Sequence, residues 1–181
     1  MYFILKNLIA LFTFLIVGCT NTKSIIKETI YLNPIEGTWV LKNVLMGDAM
    51  DKPCGFSNEG EKKEMNLTFT AENSFTGDKK KLYGQSSVND FFGWYTILSF
   101  NKKSKTGKIQ FFSLNSTKMA SIETAFMDCE NRYFSFLEKS EDFKIEEGRL
   151  QLSKTYSIPK AKTGNLPFVD NYRNVLFFDK K

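Results

Sequence analysis

Alternation of apolar and polar side chains along most of the chain restricts its fold more than any other feature. Met65, Leu67 and Phe69 share one face of an extended segment, with Asn66, Thr68 and Thr70 on the other. Ile109 with Phe111, Phe143 with Ile145, and Leu150 with Leu152 repeat the pattern. Successive side chains of a strand point to opposite faces, so a period of two reads as half-buried strands. Residues 38–46, 94–100 and 174–179 are largely apolar on both faces, as in central or barrel strands. Turn residues separate these runs at Ala71-Glu72-Asn73, Ser104-Lys105-Thr106-Gly107 and Glu146-Glu147-Gly148. Links this short join antiparallel neighbours, so an antiparallel sheet is expected.

One segment has a different period. Ile122, Phe126, Cys129, Tyr133 and Phe136/Leu137 recur every three to four residues, with Glu123, Asp128, Glu130 and Lys139 off that stripe. The spacing predicts an amphipathic helix of about four turns, covering one side or one open end of the sheet. Two stretches read as long loops: 47–64, around Pro53-Cys54-Gly55, and 155–172, around Pro159 and Pro167. The expected fold is α+β: a small curved antiparallel β-sheet or open barrel with one amphipathic helix packed on it. A length of 181 residues suits one domain, and 18 Phe are far too many for a disordered chain.

Residues 1–18 differ in kind from the rest. Lys6 is their only charged side chain, and residues 8–17 are apolar except for Thr13. That run is about half the ~20 residues that span a bilayer, so it reads as the core of a signal peptide. It ends in Ile16-Val17-Gly18-Cys19, which resembles the bacterial lipobox. The resemblance implies cleavage before Cys19 and acylation of that cysteine, an anchor made stable by several acyl chains. Thr20, where some lipoproteins carry an Asp that retains them in an inner membrane, favours the outer membrane, facing the periplasm. The expected organisation is a signal peptide over 1–18, a lipidated tether over 19–34, and a folded domain over 35–181.

For an exported chain, the pI near 9.0 does not point to nucleic acid. Lys79-Lys80-Lys81, Lys102-Lys103-Lys105 and Lys180-Lys181 sit between apolar runs or at the terminus, as solvated turns and guarded sheet edges do. The expected partners are the membrane, through the lipid anchor, and an envelope protein or lipid.

The order of motifs resembles the META/HslJ family of exported bacterial domains. Gly37-Thr38-Trp39-Val40-Leu41, followed by Gly47, looks like its opening strand, and Leu67-Thr68-Phe69 with Phe75-Thr76-Gly77 resembles its second hairpin. Asn89-Asp90-Phe91-Phe92-Gly93-Trp94-Tyr95 is similar to its Cys-Asn-Arg-x-x-Gly-x-Tyr segment, and Ser116-Thr117-Lys118-Met119-Ala120 to its Ser-Thr-Arg-Met-Ala-Cys motif. The helix and the segments around Phe143 and Leu150 complete the series, while residues 78–86 look inserted. The resemblance implies a domain without known enzymatic activity, in a family associated with heat shock, antibiotic tolerance and secretion. Similar folds occur among secretion pilotins that hold lipid. The chain departs from the pattern where members carry paired cysteines, here Val88 and Ser121, and where Lys118 replaces an Arg.

Few residues carry chemistry. The absence of His excludes Ser-His-Asp and Cys-His catalysis, and three Cys cannot build a four-thiolate zinc site. Cys54 and Cys129 remain beside Cys19. An oxidising compartment favours a bridge between them, and loss of the family's usual pair strengthens that reading. The alternative is a buried Cys129 acting as a small hydrophobe and a free thiol at Cys54. Ser24 with Lys27, Ser87-Val88-Asn89, and Lys105-Thr106-Gly107 or Lys162-Thr163-Gly164 spell the motifs of penicillin-recognising enzymes, but Ser24 lies in a tether that cannot fix its geometry. Glu59, Glu61, Glu64 and Glu138, Glu141, Asp142 lack calcium-loop spacing and read as solvated surface. No metal or cofactor is expected. The Phe-rich content reads as core, with a lipid pocket as the alternative. Asn89, Gly93 and Lys118 are the motif residues that packing alone does not explain. Asn89 is read as bonding backbone at a tight turn, Gly93 as permitting a conformation that a Cβ forbids, and Lys118 as laying its stem along the sheet. The functional alternative makes the three a surface for a partner or an anionic group.

Overall fold

The structure, a computed structural model, describes residues 33–52, 64–75, 77–119, 124–157 and 171–181. Cys19, Cys54, Ser24, Lys27 and Lys162-Thr163-Gly164 lie outside the described residues. Nine strands and one helix follow in order: β1 (Gly37–Met46), β2 (Ala49–Asp51), β3 (Asn66–Asn73), β4 (Lys80–Gln85), β5 (Asp90–Asn101), β6 (Thr106–Ser116), α1 (Thr124–Lys139), β7 (Asp142–Glu146), β8 (Arg149–Ser157) and β9 (Asn171–Lys180). Every pairing is antiparallel.

The expectation of an open sheet or open barrel is corrected in one respect: the sheet closes. β9 pairs with β1 along most of its length, from Trp39 opposite Lys180 to Met46 opposite Asn174. Eight strands therefore form a closed barrel, and short β2 folds back on the far half of β1. Closure removes two unpaired edges that a curved open sheet would have to protect. The seams are unequal, since β6 meets β7 only from Thr106 to Lys108. Alternation fills the interior with Trp39, Leu41, Leu67, Phe69, Leu82, Tyr95, Phe143, Leu152 and Phe178, all buried. Phe69 meets the Tyr95 ring edge-on at 4.8 Å, a favoured aromatic geometry.

Antiparallel closure also fixes two ends. β1, β4, β6 and β8 start, and β3, β5, β7 and β9 finish, at the same end of the barrel. That end carries the β3–β4, β5–β6 and β7–β8 turns, both ends of the 33–181 unit, and the side chain of Asn33 bonded to the Tyr95 hydroxyl. Glu147 and Gly148 both have positive φ, so the last of these hairpins closes in two residues.

Several sequence boundaries move: the stretch 47–64, read as a loop, holds β2, and Thr106-Gly107, read as turn residues, open β6. Ala71-Glu72-Asn73 belongs to β3, and the turn comes later, closed by Ser74 N donating to Lys79 O at 2.6 Å. Residues 78–86 are no insertion: they hold β4, a central strand with Leu82 fully buried. Gly84 belongs there for close approach. A Cβ on it would strike Asn66 O and lie 2.6 Å from Phe91 Cζ, so only glycine lets the three strands curl together. The long loop after Thr155 is shorter than expected, because Tyr156 and Tyr172 face each other across β8 and β9 with stacked rings 4.8 Å apart.

α1 packs on β6, β8 and β9 and buries Cys129, Tyr133 and Leu137. Ser140 closes its C-terminal turn, its hydroxyl donating to Phe136 O at 2.8 Å. Among the described residues, no helix is long and apolar enough to cross a membrane.

Candidate functional site

The two motif segments meet at the end of the barrel opposite the paired termini. There the β4–β5 turn, the segment after β6 and the first half of α1 converge on Asn89 and Glu130, which are 1% and 3% exposed. Asn89 Nδ2 donates to Glu130 Oε1 at 2.7 Å and to Met119 O at 3.2 Å. Its Oδ1 accepts from Met119 N at 2.8 Å and from the Thr117 hydroxyl at 2.7 Å. Glu130 Oε2 accepts from Asn89 N at 2.8 Å, from Val88 N at 3.3 Å and from the Ser86 hydroxyl. Buried Ser86 also has its Oγ 2.8 Å from Asn89 O.

A buried carboxylate is costly unless its acceptors are filled. Here donors from the β4–β5 turn fill them, so Glu130 pins α1 to that turn while Asn89 pins the turn to Met119. The role of Asn89 is thus wider than the backbone bond at its own turn that the sequence suggested, since it joins three segments. Glu130 is a correction. It was placed off the helical stripe and is buried. Its spacing fits the stripe well: four residues after Phe126, three before Tyr133 and seven before Leu137. Residue type hid what the spacing contained.

Gly93 and Lys118 play different parts. Gly93 has ordinary backbone angles; what it provides is space. A Cβ there would lie 2.7 Å from Leu114 Cδ2 and 3.0 Å from Phe112 O, beside a bulge at which Ser113 adopts positive φ. Lys118 is exposed, and its ammonium has no ion pair among the described residues.

The remaining sequence candidates do not converge. Ser87, whose hydroxyl donates to Phe126 O at 2.9 Å, precedes β5, whereas Lys105-Thr106-Gly107 lies past its other end, twelve residues of strand away. Glu64 pairs with Lys181 at 3.1 Å and Glu141 with Lys154, both on the surface. Among the described residues, no three His, Cys, Asp or Glu side chains could share a metal ion.

Beside the polar cluster is a hollow of about 30 Å³, bordered by Leu41, Val44, Lys52, Cys129, Arg132 and Tyr133. The Tyr133 hydroxyl is buried with no hydrogen-bond partner among the described residues. Burial alone pushes its ionisation well above the ordinary phenol value of 10.0. Tyr95 is shifted the same way, chiefly by burial and against the opposing effect of its bond to Asn33.

Comparison with known proteins places these features in context. The family model described as META domain matches residues 32–168. An NMR structure of a protein from Burkholderia xenovorans is 19% identical, with a TM-score of 0.51, over 82% of this chain and 88% of that one. At that identity the likeness concerns the fold alone. A crystal structure of a DUF4847 family protein from Bacteroides vulgatus is 14% identical, with a TM-score of 0.38, over 78% of this chain and 92% of that one. No curated protein matches the sequence.

Proposed function

The chain belongs to the META domain family, and from that premise we propose an exported, lipid-anchored barrel that works by binding or by stabilising the envelope, without covalent catalysis. The observation that carries this reading is the inward use of the motif's polar side chains. Asn89, Ser86, Thr117 and Glu130 bond one another, while Lys118 and Asp90 are polar motif residues that stay exposed and open to a partner. An acid or base needs an unfilled acceptor or donor facing substrate, and the Glu130 acceptors are filled.

Anchoring is supported by the apolar run that ends in Ile16-Val17-Gly18-Cys19, with the outer membrane, facing the periplasm, as the proposed site. A Cys54–Cys129 bridge is supported by two facts. Cys129 is carried as a half-cystine, and Lys52, two residues before Cys54, borders the same hollow as Cys129.

A partner-binding, pilotin-like role is the second reading. It is favoured by Tyr83 and Phe92, cross-strand neighbours on the outer face that are 48% and 54% exposed. The hollow of about 30 Å³ has room for a water or two and not for an acyl chain, so a lipid would have to use the open clefts of about 640 and 500 Å³ beside Phe143 and Phe111.

Comparing Lys118→Glu with Asn89→Ala tests the division of labour. Lys118→Glu should melt as the parent does yet fail to restore a deletion strain's envelope phenotype. Normal rescue by Lys118→Glu would remove Lys118 from the binding surface.

A further inference from the structure

The barrel end that carries both ends of the 33–181 unit also carries a side chain with no role in the fold. Phe75, at the β3–β4 turn, is fully exposed. It stands on a short, well-closed hairpin: Ser74 N donates to Lys79 O, Gly77 N donates to Ser74 O at 2.9 Å, and Gly77 has φ of +81°. Covering this ring with an apolar environment would remove its surface from water, a favourable transfer.

Its surroundings are basic. Residues 33–36, 74–80, 101–106, 146–149 and 180–181 make up this end and carry eight Lys or Arg against four Asp or Glu. Several of these cations are already engaged. Lys180 Nζ donates to Glu36 O and lies over Trp39, Lys181 pairs with Glu64, Arg149 pairs with Asp179, and Lys79 lies over Phe112. Lys80, Lys102, Lys103 and Lys105 have no ion pair among the described residues, and the last three are exposed. Leu98, 60% exposed, lies on the same half of β5.

The chain that precedes Asn33 joins the barrel at this same end. Counted from Cys19, fourteen residues separate it from Asn33.

We propose that this end of the barrel rests on an anionic lipid bilayer. Phe75 inserts at the headgroup–acyl boundary, and Lys80, Lys102, Lys103 and Lys105 meet lipid phosphates. An exposed aromatic ring on the same barrel end as unpaired lysines matches a surface that is anionic outside and apolar just beneath. The inference deepens the anchored reading by giving the anchored barrel an orientation, and the two can fail separately.

The test uses the mature lipidated chain with Phe75→Trp, reconstituted in vesicles of phosphatidylcholine alone or with added phosphatidylglycerol. Trp fluorescence is read against the parent, with brominated lipid as quencher and flotation as the measure of anchoring. On the anionic vesicles, the emission from position 75 should shift to the blue and be quenched. Lys102→Glu combined with Lys103→Glu should cut the inserted fraction by about tenfold or more, as expected from the contribution of each basic residue near such a surface. Protein that floats with the vesicles while position 75 stays unquenched would overturn the inference and leave Phe75 for a protein partner, with the anchor intact. Equal quenching on phosphatidylcholine alone would overturn the anionic commitment. Failure to float with phosphatidylcholine would count against the anchor, and quenching on anionic vesicles would still support the inference.

Discussion

Asn89 makes its strongest contribution by keeping a buried carboxylate supplied with donors. Asn89→Ala removes four side-chain hydrogen bonds, leaving Glu130 Oε1, Thr117 and the Met119 amide without that partner. A loss of about 2–4 kcal/mol is expected, read from urea unfolding. A variant with parental stability would contradict the structural role. Two buried phenols give a pH signature. Tyr95 and Tyr133 ionise above the ordinary 10.0 in the folded state. Below pH ~10 both folded and unfolded chains keep these protons, so stability is unaffected. Above it the unfolded chain releases protons that the folded chain holds, so stability falls as pH rises. An absorbance titration should find two phenols that ionise only as the barrel unfolds; smooth ionisation of every phenol in a folded barrel would count against this. At this scale Asn89 was legible as special because it stands in a recognisable motif. Its partner was not, because a glutamate beside an apolar stripe reads as solvated until its donors, contributed by a turn some forty residues earlier, are seen.

Elements were legible where side chains alternate and obscure where they do not. Leu67, Ile109, Phe143 and Leu150 announce their strands through period two. β4 was hidden because its three-residue run Lys79-Lys80-Lys81 suggests a turn and its Gly84 suggests a break. Tertiary packing needs that glycine inside the strand, where Phe91 crosses it. α1 was legible from its spacing, and the proposed bridge is what would hold it most firmly. The Cys54–Cys129 bridge would tie α1 to the chain between β2 and β3. Closing a loop of 75 residues (from 54 to 129) stabilises by about 4 kcal/mol at most, less any strain. Non-reducing peptide mapping of purified exported protein should recover the two cysteines in one linked pair, and reduction should lower the melting temperature. Two titratable thiols would sink the bridge.

For the molecule as a whole, closure was the feature least available to reading. Pairing of β1 with β9 is made by backbone groups that every residue possesses, so no side-chain pattern marks a closed sheet off from a curved open one. Once closed, the barrel sorts its connections. Asn89, Glu130 and Lys118 fall at one end, and Phe75, the lysine-bearing turns and the start of the 33–181 unit fall at the other. A membrane at the second end would leave the first facing the periplasm, open to a partner. The proposed acyl anchor stands or falls separately from that orientation, and Cys19 tests it most directly. Cells expressing the full chain or Cys19→Ala are fed an alkyne-tagged fatty acid, and the protein is captured, clicked to a fluorophore and fractionated. The account predicts a labelled, membrane-bound parent and an unlabelled variant that retains residues 1–18; equal labelling of the two, or an unlabelled parent, would contradict it.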